Sequence, residues 1–211
     1  FIAKYDDYGS LLWLRHPINA QEAYSHCIIT DNSNNVIASG EYYDYLVFDS
    51  TYLINESSAA FLVKYNQNGI LSWARSFGGD SNSSVDHTVC DVGIDASNNI
   101  YLTSSYTGIG ISFDTENIVN VGLEDIFITK FNPNGDAIWA KNFGGASWDD
   151  VLGIATDEDG TSVIVGDFES NPTTFDAYNL TNNGDHDAFI TKLDSSGNVL
   201  WARKVGGVGK E

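Results

Sequence analysis

One pentad recurs four times along this chain, and nothing constrains its folding more. Phe1, Phe61, Phe127 and Phe189 open the segments Phe-Ile-Ala-Lys-Tyr, Phe-Leu-Val-Lys-Tyr, Phe-Ile-Thr-Lys-Phe and Phe-Ile-Thr-Lys-Leu. Each is followed by a four-residue turn ending in glycine, at Gly9, Gly69, Gly135 and Gly197. A tryptophan comes next: Trp13, Trp73, Trp139 and Trp201. The tryptophan spacings are 60, 66 and 62 residues, and the phenylalanine spacings equal them. A chain with such a period is a stack of similar units, each too small to bury its own apolar surface without its neighbours.

The turns read Asp6-Asp7-Tyr8-Gly9, Asn66-Gln67-Asn68-Gly69, Asn132-Pro133-Asn134-Gly135 and Asp194-Ser195-Ser196-Gly197. A side-chain carbonyl at the first position caps the turn, and glycine at the fourth supplies the positive φ that follows a type I turn in a bulged hairpin. The flanking segments alternate with period two. Leu71, Trp73, Arg75 and Phe77 fall on one face, with Ser72 and Ala74 on the other. Neither face is polar, which predicts a sheet covered on both sides. No segment carries the 3.6-residue period of a helix.

Further features recur in order: an apolar strand ending at Asp31, Asp95 or Asp157, a second strand after a polar turn, and a Phe-Asp pair at Phe48-Asp49, Phe113-Asp114 and Phe175-Asp176. The expected fold is all-β: a β-propeller of four-stranded antiparallel blades built from repeats of about 62 residues, with about three and a half repeats present. The boundaries read as a partial repeat over 1–17, repeats over 18–79, 80–145 and 146–207, and the start of another over 208–211. Three and a half blades leave sheet edges open, so further residues on both sides or a second chain are expected to complete the propeller, with a stacked solenoid as the alternative.

Basic residues follow the same period. Lys4, Lys64, Lys130 and Lys192 hold one position; Arg15, Arg75, Lys141 and Arg203 hold another, 11 residues later. These are eight of the ten Lys and Arg residues, so the scaffold fixes nearly every positive charge. Pairing with a loop carboxylate, or lying along the indole two residues earlier, are the expected roles. The structural positions singled out are therefore Trp13, Trp73, Trp139, Trp201, Lys64, Lys130, Lys192, Gly69, Gly135 and Gly197.

The order Asp-x-Phe-Ile-x-Lys, Asn/Asp-x-x-Gly, Trp-Ala-Arg/Lys, Gly-Gly, Ile-x-x-Asp, Phe-Asp resembles the bacterial β-propeller repeats called SBBP repeats. It does so best from Asp125 to Gly145 and from Asp187 to Gly207. Those repeats occur in large secreted and surface proteins, notably of Bacteroidota. The resemblance implies blades around an axis, an extracellular or bacterial cell-surface location, and type IX secretion cargo. The first copy departs from the pattern with His16-Pro17 in place of Gly-Gly, and the second has extra residues before Asp95.

The net charge of −19 excludes phosphate-backbone recognition, which needs a basic surface. No apolar stretch approaches the ~20 residues of a membrane-spanning helix. Absence of Met and an opening in mid-strand are read as signs of a piece of a larger exported protein. No catalytic, cofactor or metal site is expected. The acidic turn Asp157-Glu158-Asp159-Gly160-Thr161 is a candidate for calcium, but its sister turns read as plain hairpins. Asp185-His186-Asp187 looks like a cluster, yet Asp187 is a repeat position, and the four histidines lack zinc spacing. Cys27 and Cys90 could meet as an inter-blade disulfide or remain thiols. Tyr42, Tyr43, Tyr45, Tyr106 and Trp148 lie outside the repeated aromatic positions and are candidates for stacking on sugar rings.

The expected function is a non-catalytic secreted or surface binding scaffold with a protein or glycan partner. A polysaccharide-acting enzyme and a passive spacer in an adhesin-like chain are the alternatives.

Overall fold

The computed structural model describes residues 1–18, 22–78, 84–85 and 91–208. All regular structure in it is β. The hairpin β1 (Ile2–Tyr5) and β2 (Leu11–Arg15) stands first. Then come β3 (Glu22–Thr30), β4 (Val36–Phe48), β5 (Thr51–Tyr65) and β6 (Leu71–Phe77), which form an antiparallel sheet in sequence order. The second sheet contains β7 (Ser84–Val85), β8 (Asp91–Ile94), β9 (Ile100–Thr107), β12 (Glu124–Phe131) and β13 (Ala137–Phe143). There β7 and β8 share one edge of β9, and the order continues β9-β12-β13. The third sheet runs β14 (Asp149–Thr156), β15 (Ser162–Phe168), β18 (Asp187–Leu193), β19 (Val199–Val205). Two small hairpins, β10 (Gly110–Phe113) with β11 (Glu116–Val119) and β16 (Thr173–Phe175) with β17 (Tyr178–Leu180), connect the middle strands of the second and third sheets.

Local chemistry sets each turn between the third and fourth strands. Asp6, Asn66, Asn132 and Asp194 each accept, through Oδ1, the backbone N–H groups two and four residues on. The glycines at the fourth position have φ of 74 to 82°, a region open to glycine at no steric cost. The register slips by one residue directly before each turn, between Lys and the residue after it, which is the expected bulge.

The Phe-Asp pairs also have a local cause. Asp49, Asp114 and Asp176 are left-handed and begin two-residue hairpin turns. In the first sheet the equivalent hairpin is continuous with β4 and β5, which bend at a bulge beside Asp44 (φ 68°). In the second and third copies the hairpins fold back against β13 and β19. Asp114 and Asp176 there accept the first N–H of those edge strands, Ala137 and Val199. An open sheet edge is thereby blunted.

Three apolar layers lie between the successive units. Ile2 and Trp13 pack on Val36, Ala38, Tyr42, Phe61 and Val63. Ile37, Leu62 and Phe77 of the first sheet pack on Leu102, Phe113 and Phe127. Ile126, Ile128 and Phe143 of the second pack on Ile164, Phe175 and Phe189 of the third. Strand β8 lies against β3 on one side and β14 on the other, so the first strands of adjacent sheets are neighbours. Both faces of the inner sheets are thus buried, as their alternation of bulky and small residues requires.

Candidate functional site

The repeated polar residues form the junctions between sheets. Lysine and tryptophan are directly opposed in every copy: Lys4 with Trp13, Lys64 with Trp73, Lys130 with Trp139 and Lys192 with Trp201. In the first three copies both side chains donate to one carbonyl in the turn of the following copy. Gln67 O accepts from Trp13 Nε1 at 3.1 Å and Lys4 at 3.5 Å. Pro133 O accepts from Trp73 at 3.2 Å and Lys64 at 3.4 Å, and Ser195 O from Trp139 at 3.3 Å and Lys130 at 3.2 Å. A carbonyl oxygen has two lone pairs, and each of these uses both.

The indole also covers the glycine of that turn. A Cβ on Gly69 would lie 2.7 Å from the Trp13 ring, and one on Gly135 or Gly197 would lie 3.1 or 3.2 Å from Trp73 or Trp139. Each turn glycine therefore serves twice, as a left-handed hinge and as the flat seat of an indole. Arg15 Nε donates to Gly69 O at 2.8 Å, while Arg75 lies 5.8 Å over the Trp73 ring and reaches Asn134 O.

The lysines also reach back into their own sheet. Lys64 Nζ is 2.8 Å from Asp31 Oδ2 and Lys130 Nζ is 3.6 Å from Asp95 Oδ2, with all four side chains largely enclosed. Burial would raise the Asp31 carboxyl, but Lys64, Asn35 and two backbone N–H groups outweigh it and hold it below the ordinary carboxylate value. The Asp95 carboxyl is lowered in the same way against burial, by Asn99, Lys130 and Tyr101. These aspartates also close the turns between first and second strands, which touch from copy to copy. Asn32 binds Asn98 and Ala96, and Ala96 N donates to Glu158 O.

The acidic turn at Asp157 is built like its sisters. Asp157 and Asp159 both accept the Thr161 N–H, and Thr161 with Asp157 holds the Asp159 carboxyl down to about 2. One oxygen of each is engaged within the turn. Among the described residues no three His, Cys, Asp or Glu side chains are grouped as metal ligands would be.

Asp185-His186-Asp187 does not act as a unit. His186 turns to Glu169 (2.9 Å) and Asp167 (4.0 Å), while Asp187 is fully buried and accepts from Lys204 at 2.9 Å. Cys27 is a half-buried free thiol; burial and a hydrogen bond to Asp91 push it up to about 11. Cys90 and His87 lie outside the described residues.

One acidic pair spans the second and third sheets, and the repeat position of its first member is Ala59 in the preceding copy. Asp125 and Asp149 are fully buried on either side of Gly144. Asp125 Oδ2 accepts from Asn142 and the Val121 N–H; Asp149 accepts from Thr173, Ser170 and Gly145. Burial pushes both carboxyls up, and Asp149 raises Asp125 further. In the third sheet the residue matching Asn142 is Lys204, so Asp187 has a cation where Asp125 has an amide. The first glycine of the Gly-Gly motif lies against these aspartates in the second and third sheets: a Cβ on Gly144 or Gly206 would sit 2.2 or 2.1 Å from Asp125 or Asp187 Oδ1.

Of the non-repeated aromatics, Tyr42 and Tyr106 are buried; the Tyr42 hydroxyl is hydrogen-bonded with Ser76 and the Tyr106 hydroxyl donates to Asn142 Oδ1, so neither can stack on a sugar. Trp148 and Tyr43 remain exposed. Trp148 lies beside Leu123 and Glu124, in the connection opposite the glycine turns, where Ile109, Val119, Val121 and Leu123 are also exposed. There the connections between sheets interlock. Leu123 and Glu124 donate to Ser147 O, Ser147 N to Ser170, and Glu169 N to Trp148 O. Beside them an open depression of about 550 Å³ is lined by Val121, Asn142, Gly144, Gly145, Thr174 and Asp176.

No family model matches the chain. Its sequence is similar to that of an uncharacterized WD repeat-containing protein of Acanthamoeba polyphaga mimivirus, at 32% identity over 178 residues. The alignment covers 72% of this chain and 13% of the relative, so the chain spans a small part of that protein. The repeat spacing here, 60 to 66 residues, exceeds the ~40–45 residues of a WD40 blade. The chain is thus an all-β repeat protein of antiparallel sheets, similar over most of its length to a segment of a WD repeat-containing protein.

Proposed function

We propose that this chain is a run of β-propeller blades that serves as a non-catalytic scaffold for a protein partner, engaged at the end that carries Trp148, Val121 and Leu123. The observation behind this is the division of labour between the two ends. Repeated residues are used up in joining sheets, while the crossover connections differ from copy to copy and carry the exposed Trp148, Val121 and Leu123. Exposed apolar groups gathered on one surface are what a protein interface uses. The viral relative, by its description a repeat protein, agrees with this reading. An enzymatic role for the acidic pair is disfavoured because Asp125 and Asp149 are fully enclosed and cannot touch a substrate. The finer reading, a secreted or cell-surface module of SBBP type exported through type IX secretion, rests on the motif resemblance alone.

Affinity capture with the intact chain, followed by chemical crosslinking, tests the reading. A captured protein should crosslink near the crossover connections, and Trp148→Ala with Val121→Ser should release it. Binding that ignores these changes, or turnover of a polysaccharide by the intact chain, would refute the proposal.

A further inference from the structure

The hairpin that ends in each Phe-Asp turn shows one face to solvent, and in the first copy that face has a different character. In the second copy Gly78 bridges to Ser112, and Ser112 pairs with Asn117. In the third copy the same row is Gly144, Thr174 and Asn179. Both rows close on a side-chain hydrogen bond, Ser112 Oγ to Asn117 Oδ1 at 2.7 Å and Thr174 Oγ1 to Asn179 Oδ1 at 3.1 Å. The matching row of the first copy is Ile18, Val47 and Tyr52. Beside it on the same face Tyr45 pairs with Ile54, where the second copy pairs Gly110 with Val119.

This face is open in every copy: Ser112, Asn117, Thr174 and Asn179 are exposed, as Tyr52 is. Tyr52 and Ile54 are 68% and 72% exposed and Ile18 is 48% exposed. The core does not call for them, because Leu46, Phe48 and Leu53 on the other face fill it as Ile111, Phe113 and Ile118 do in the second copy. A Val47–Tyr52 pair steadies the hairpin, but it makes no use of Ile18 or Ile54. Three exposed side chains are far fewer than the roughly 20–30 residues that a stable protein interface takes from each partner. The exposed carboxylates of Asp44 and Glu56 follow on the same two strands, next to Tyr45 and two residues after Ile54. A phenol ring with carboxylates nearby suits a neutral sugar: the apolar face of a pyranose lies on the ring, and the carboxylates accept from its hydroxyls.

We propose that the outward face of the β4–β5 hairpin binds a neutral oligosaccharide, with a pyranose ring seated against Tyr52 and Ile54. The site belongs to the first copy alone, because the other two fill the same place with hydrogen-bonded Ser–Asn and Thr–Asn pairs. It lies apart from Trp148 and does not rest on a partner at the crossover end.

Isothermal titration calorimetry of the 211-residue chain with cellohexaose, laminarihexaose, xylohexaose and mannohexaose tests this. At least one of the four should bind with a Kd of about 1 mM or tighter. Tyr52→Asn with Ile54→Thr installs the residues that the third copy carries at the same exposed positions, Asn179 and Thr181. The doubly substituted chain should therefore keep its denaturation midpoint while binding weakens about ten-fold or more. Tyr52→Asn alone should weaken binding in the same direction. Asn117→Ala, at the matching place in the second copy, should leave the affinity as it is. Absence of binding for all four sugars, binding that survives the double substitution, or an equal loss in Asn117→Ala overturns the proposal. So does a protein that the intact chain captures and the double substitution releases, because the face would then be a protein contact. The sugar results leave the partner reading at the crossover end standing, to be judged by its own capture experiment.

Discussion

The two ends of the molecule use their residues differently. At the turn end, Trp73 and Lys64 meet Pro133, and Trp139 and Lys130 meet Ser195, with the same atoms in the same roles. At the crossover end, the position held by Asn142 in the second sheet is Ser76 in the first and Lys204 in the third, and each has a different partner. A repeat can keep its period only where every copy must solve the same problem. Joining one sheet to the next is such a problem, and whatever the crossover connections do is not.

The comparison breaks most readily at Lys64. Lys64→Met leaves the Asp31 carboxylate enclosed without its ammonium, and a buried charge stripped of its partner costs about 3–5 kcal/mol. Chemical denaturation should show that loss. Acid acts on the same carboxylates. The folded-state pKa values of Asp31 and Asp95 are lowered, so their stabilisation is present above the ordinary value of 3.8 and is lost as pH falls through the folded value.

Tryptophan substitutions sharpen the comparison next. Trp139→Ala should cost about 3 kcal/mol, because it strips the seat of Gly197 and a donor to Ser195 O. Trp201→Ala, at the same repeat position but with no turn glycine under its indole among the described residues, should cost about 1 kcal/mol or less. Equal losses would mean that the indole acts within its own sheet.

The acidic pair gives a smaller effect of opposite sign. Asp125 and Asp149 have raised folded-state values, so the fold gains stability as pH falls from those values toward 3.8. Asp125→Asn should add about 1 kcal/mol at neutral pH by removing a buried charge that lacks a cation, and should flatten that limb of the stability curve. Asp187→Asn, which strands Lys204, should destabilise instead.

The smallest effect belongs to the exposed crossover residues. Ile109→Ser or Val121→Ser should change stability by no more than about 0.5 kcal/mol while weakening partner capture.

Much of this architecture was legible in the sequence because its signals are local. An Asn or Asp four residues before a turn-closing residue fixes each hairpin by itself, and period-two alternation marks the strands. The glycine at the turn was predicted for its φ; that it also seats an indole from the preceding copy was not, because the two residues are 56 to 62 positions apart. The lysines were expected to find loop carboxylates, but nothing local says that Lys64 also reaches Pro133. The burial of Tyr42 and Tyr106 was hidden for the same reason. Their hydroxyls are satisfied by Ser76 and Asn142, each from a strand more than 30 residues on. The Phe-Asp pairs were seen as a repeat, while their role as left-handed hairpin tips tied to edge strands emerged only in three dimensions.

The central claim is that the indoles of successive copies are locked onto the turns that follow them. Hydrogen exchange of the five tryptophan indole N–H groups, followed by NMR, tests it most directly. Trp13, Trp73 and Trp139 should exchange slowly, and Trp148 and Trp201 fast. If Trp73 or Trp139 exchanged as fast as Trp148, the junctions described here would not be what holds the sheets together.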